Sequence, residues 1–92
     1  MDILDSTEVR GITADGDERV TLILITYDPT RYAYNVEHRC DGQYEDNEYV
    51  NNLDDARELM RTWEQQVKYH YEQERLSHER GLAQEREENK NS

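Results

Sequence analysis

His70, Glu74 and His78 follow one another at intervals of four residues, a spacing that places side chains on one face of a helix. Two imidazoles and a carboxylate so arranged could hold Zn²⁺ and leave a fourth position open to water or substrate. The order is not the His-Glu-x-x-His of zinc proteases, and the stretch around it is too polar to exclude water. A solvated helix face is therefore expected here, with no metal and no other cofactor. His38 and Cys40 could form a thiol–imidazole pair, since residues two apart on a strand point the same way. Such residues stand ~6.6 Å apart at ~3.3 Å per residue, beyond hydrogen-bond reach, so an activated nucleophile is not expected. Asp15-Gly16-Asp17-Glu18 gathers oxygen ligands beside a glycine but lacks the alternating order and closing glutamate of a calcium loop. There is no glycine-rich phosphate loop and no Gly-x-Ser-x-Gly elbow. The chain reads as a protein that is not an enzyme.

What remains is charge. From Asp41 to Asp55 the acids Asp41, Glu45, Asp46, Glu48, Asp54 and Asp55 occur with no base among them, and Tyr44 and Tyr49 lie between. Residues 1–55 hold fourteen acids against four arginines, whereas residues 56–92 hold eight acids against seven bases. Nearly all of the net charge of −11 thus lies in the first half. Such a field repels nucleic acid and anionic lipid, so neither a direct nucleic-acid partner nor a membrane is expected. It suits a basic protein surface, and nucleic-acid-binding proteins are the natural source of one. The partner-binding set on this reading is Asp41, Tyr44, Glu45, Asp46, Glu48, Tyr49, Asp54 and Asp55. Tyrosine contributes rigid amphipathic contact area at interfaces. The competing explanation is an edge strand that carries charge to discourage pairing with other molecules.

With 92 residues, 34% apolar and 36% charged, the chain can build only a thin core. Its single cysteine, Cys40, allows no internal disulfide and suits a reducing compartment. The first residues lack the positive region and apolar run of a signal peptide, and the longest apolar run, Leu22 to Ile25, is too short to span a bilayer. A cytoplasmic location is expected.

The elements that must position these residues are legible as alternation followed by a stripe. Residues 6–50 read as a three- or four-stranded antiparallel meander, with turns at Asp15-Gly16, Asp28-Pro29-Thr30 and Asp41-Gly42. The segment Ser6 to Thr13 is a weak strand or a loop. Arg19 to Tyr27 is the strongest strand and is apolar on both faces: Val20, Leu22 and Leu24 on one, Ile23, Ile25 and Tyr27 on the other. Arg31 to Cys40 alternates as a half-buried strand, with Tyr32, Tyr34, Val36, His38 and Cys40 on one face and Tyr32 and Tyr34 as core or core edge. Gln43 to Val50 is an acidic edge strand. Asn51 or Asn52 can cap a helix whose stripe is Leu53, Ala56, Leu59, Met60, Trp63 and Val67, with Glu64 and Lys68 as a supporting pair. The helix should run from Leu53 to about Arg80, ~42 Å at ~1.5 Å per residue. Residues 1–80 then form one α+β domain, with one long C-terminal helix packed on the sheet and residues 81–92 as a polar, frayed or disordered tail.

One helix covers one face, yet the central strand is apolar on two. A symmetric homodimer is expected to resolve this, or the N-terminal Ile3, Leu4, Val9 and Ile12 folding over the open face. In size, acidity and strand–strand–helix order over residues 18–70, the chain resembles small acidic inhibitors made by phages and mobile elements, among them DNA-mimic anti-restriction and anti-CRISPR proteins. The likeness is one of composition and layout, and it implies occupation of a basic groove. Its alternative is a structural or regulatory homodimer whose acidity provides solubility.

Overall fold

The computed structural model describes residues 2–90, and side chains as far as Leu82. Four strands, β1 (Ile3–Ile12), β2 (Glu18–Asp28), β3 (Ala33–Cys40) and β4 (Gln43–Val50), form one antiparallel meander in chain order. A single helix, α1 (Leu53–Lys90), follows and packs on one face. Each turn has a local cause. Asp28 Oδ1 accepts both the amide and the hydroxyl of Thr30, which closes the β2–β3 turn. Asp41 and Gly42 both take positive φ, 51° and 82°, the primed geometry that a two-residue hairpin requires. Asn52 caps α1: its Oδ1 accepts the Asp55 amide at 2.8 Å while its Nδ2 donates to the Asp55 carboxylate at 2.9 Å.

The core lies between the sheet and α1. Ile23, Ile25 and Val36 are fully buried against Ala56 and Met60, and Tyr34, Val50, Leu53, Leu59, Trp63 and Val67 pack around them. The stripe expected on the helix is thus the stripe that is buried. Glu64 and Lys68 form their ion pair at 2.7 Å.

Several expectations are corrected. Of Ser6 to Thr13, Ser6 to Ile12 is strand, as one of the two readings had it, within the ten-residue β1, which pairs beside β2 and does not fold over its open face. Tyr32 is not core: it is 81% exposed, at φ 50° in the turn before β3, because the strand begins only at Ala33. The open face of β2 needs less cover than its apolarity suggests. Leu24 is only 7% exposed without any helix above it, since it sits between Ser6 of β1 and Glu37 of β3. A central strand is shielded by its neighbours' side chains as well as by the layer on top. Val20 and Leu22 on the same face stay half-buried.

α1 continues past Arg80 to Lys90, through positions expected to be tail; Asn91 and Ser92 lie outside the described residues. After the one weak position, Gly81, the chain runs through Leu, Ala, Gln, Glu and Arg, all strong helix formers. The helix of 38 residues is ~57 Å long at ~1.5 Å per residue, so it overhangs its sheet and stretches the molecule to 64 × 21 × 15 Å. Among the described residues, no helix is long and apolar enough to cross a membrane.

Candidate functional site

The acidic strand β4 does not alternate evenly. His38 of β3 faces Asp46, but the next residue, Arg39, faces Tyr44, which leaves Glu45 as an extra residue in a bulge. Val36 faces Glu48, so Asp46 and Glu48 point to the helix side of the sheet. Glu45 lines a cleft on that same side. Tyr44, Asn47 and Tyr49 face Arg39, Glu37 and Asn35 on the open side. Even alternation would have put Tyr44 with Asp46 and Glu48, and Glu45 with Tyr49. The bulge instead sorts the strand into a carboxylate side and a tyrosine side.

Glu45, Asp46, Glu48 and Asp54 are exposed, and among the described residues no base stands within ion-pair distance of any of them. Two other expected site acids serve the fold. Asp41 accepts the Arg19 guanidinium at 2.8 Å and the Val20 amide at 2.9 Å, while its own amide donates to the Val20 carbonyl. The Arg19 bond, then the Val20 amide, holds the Asp41 carboxyl below its usual range. Asp55 is engaged with Asn52 in the helix cap. Tyr44, 56% exposed, donates its hydroxyl to Asn47 Oδ1, and the Tyr49 ring lies 4.6 Å under the Arg31 guanidinium. The eight residues singled out from sequence therefore divide. Glu45, Asp46 and Glu48 share one side and Asp54 begins the helix, the two tyrosines line the other face, and Asp41 and Asp55 are structural.

The cleft beside Glu45 holds about 370 Å³ between the sheet and α1. His38 and Cys40 both line it, with Arg19, His70 and Tyr71, residues that no sequence spacing connects. The His38 ring packs 6.2 Å from the Trp63 ring. The Tyr71 hydroxyl shares a 2.6 Å hydrogen bond with Thr21, and burial raises its pKa, with the Cys40 thiol alongside. Among the described residues, no three His, Cys, Asp or Glu side chains converge to hold a metal ion.

Glu74 and His78 brace a hairpin, while His70 stays exposed beside Glu74. Glu74 Oε2 accepts the Ala14 amide at 2.5 Å, and the Nδ1–H of His78 donates to the Ala14 carbonyl at 3.1 Å. His70 Nε2 stands 3.7 Å from the other Glu74 oxygen. The face read as solvated thus grips the β1–β2 turn, where Thr13 bonds Gly16 and Asp17 and Gly16 takes φ 90°. No sequence signal announces this, because the partner backbone lies 60 residues away. Comparison with known proteins finds no matching family model, no matching curated protein and no matching solved structure.

Proposed function

We propose that the carboxylate side of β4, continued by Asp54 at the start of α1, docks on a basic surface of another protein, and that the chain acts by occupying that surface. The observation that carries this reading is the bulge at Glu45, which collects Glu45, Asp46 and Glu48 on one side with no base within ion-pair distance among the described residues. An unneutralised row of carboxylates attracts lysine and arginine at long range and speeds encounter. Grooves lined by lysine and arginine belong above all to proteins that bind nucleic acid, so a member of that class is the proposed partner. Tyr44 and Tyr49, exposed on the opposite face of the same strand, supply contact area at the rim. The likeness in size and layout to small acidic inhibitors of phages and mobile elements supports an inhibitory role, exerted in the cytoplasm without catalysis.

The test is capture from a bacterial lysate at low and moderate salt, with a variant carrying Glu45→Lys, Asp46→Lys and Glu48→Lys alongside. The expected result is a basic nucleic-acid-binding protein held by the unmodified chain alone, weakened by salt and released by added duplex DNA. Circular dichroism establishes that the variant is folded. Retention of the same protein by the folded variant at moderate salt overturns the proposal.

A further inference from the structure

The two edges of the sheet are built differently. β4 is bulged at Glu45 and lined by exposed carboxylates, two devices that discourage another strand from pairing with it. β1 has ten residues, no proline, and an unbroken register from Asp5 to Ile12 against Ile25 to Glu18. Its outer row of amides and carbonyls has no strand beside it. α1 packs on its inner face, where Tyr71 meets Gly11, and a groove of about 310 Å³ lined by Val9 to Ile12 and by Lys68, Tyr71, Glu72 and Arg75 runs beside them.

We infer that β1 is the seam of a homodimer, in which it pairs antiparallel with β1 of a second copy in a register centred on Val9. The charges select this register. Glu8 and Arg10 face Leu22 and Val20 on the open side of the sheet and are both exposed. Centring on Val9 sets Glu8 of each copy opposite Arg10 of the other. Centring on Glu8 or on Arg10 would set like charges face to face. In the Val9 register Thr7 meets Gly11 and Ser6 meets Ile12, so the seam runs from Ser6 to Ile12. The two copies of α1 then flank the seam on one face, presenting Lys68, Glu72 and Arg75, a mixture of signs that can pair across a two-fold axis.

Assembly closes at two. The dimer is an eight-stranded sheet whose outer edges are two copies of β4, each already guarded against further pairing. The carboxylates of Glu45, Asp46 and Glu48 stay free at both ends, so the dimer does not depend on the docking role proposed for them.

The test is molecular mass by light scattering and sedimentation at micromolar concentration, with folding followed by circular dichroism. The unmodified chain is expected at twice its 11.0 kDa mass. Glu8→Arg and Arg10→Glu should each halve that mass, because each sets like charges across the seam. An equimolar mixture of the two single variants should restore the dimer, as should the double swap in one chain. An unmodified chain at 11.0 kDa, single variants that stay dimeric, or a mixture that stays monomeric overturns the inference. Should the single variants fail to fold, hydrogen exchange on the unmodified chain decides. A seam protects successive amides from Ser6 to Ile12, whereas a free edge leaves alternate ones fast-exchanging and sinks the idea.

Discussion

The ring of Tyr71, on α1, occupies the space that a side chain at position 11 of β1 would need. A Cβ added to Gly11 would stand 2.6 Å from Tyr71 Cβ and overlap the ring itself. Glycine on an exposed strand is normally a weak point, and here the aromatic ring packs on it and closes that end of the layer. The same Tyr71 reaches past β1 to share its hydroxyl with Thr21 of β2. One side chain thus joins the helix to two strands.

Gly11→Ala should therefore force Tyr71 out of place. Overpacking of this kind costs about 1–3 kcal/mol, which for a domain of this size lowers Tm by several degrees per kcal/mol. Thermal unfolding checks it. The milder Tyr71→Phe keeps the packing and removes only the bond to Thr21, for a loss of about 1 kcal/mol.

Glu74 and His78 hold the β1–β2 turn through both backbone groups of Ala14. Glu74→Ala should leave the fold intact while speeding hydrogen exchange at the Ala14 amide relative to the amides of β2, which the sheet protects. Unchanged exchange at Ala14 would mean that the turn stands without the helix.

Asp41 links acid stability to the hairpin. Its carboxyl sits below the usual range, chiefly through the Arg19 bond, and Asp28 is likewise lowered, chiefly by the Thr30 hydroxyl. A lowered folded pKa stabilises the fold above the unfolded value, about 3.9 for aspartate, and that stability disappears as pH falls through the folded value. Asp41→Asn should accordingly have a lower urea midpoint than the unmodified chain at neutral pH. The difference should shrink as pH falls below about 4. A gap that stays constant with pH would remove the ionised carboxylate from the account.

Local rules made much of this protein legible. The meander followed from turn residues and alternation, the buried helix stripe from spacings of three and four, and the hairpin at Asp41-Gly42 from two residues that tolerate positive φ. The Asn52 cap and the Glu64–Lys68 pair involve neighbours within about one helical turn. Tyr32 lies in the turn before β3, because an alternating pattern does not mark where a turn ends and a strand begins.

By itself, then, the sequence determined the elements, their order and the asymmetric charge, because these depend on interactions among residues close in the chain. Only the tertiary structure decided how the charge is displayed. The bulge at Glu45 shifts the side-chain pattern of β4 by one position, and a one-residue slip exchanges the faces of a strand. The course of α1 along β1, from Arg57 at Asp5 onward, decided that Tyr71 meets Gly11 and that Glu74 and His78 meet Ala14. Those contacts join residues some sixty positions apart, and their geometry is set by register and helix placement together, which no local pattern encodes.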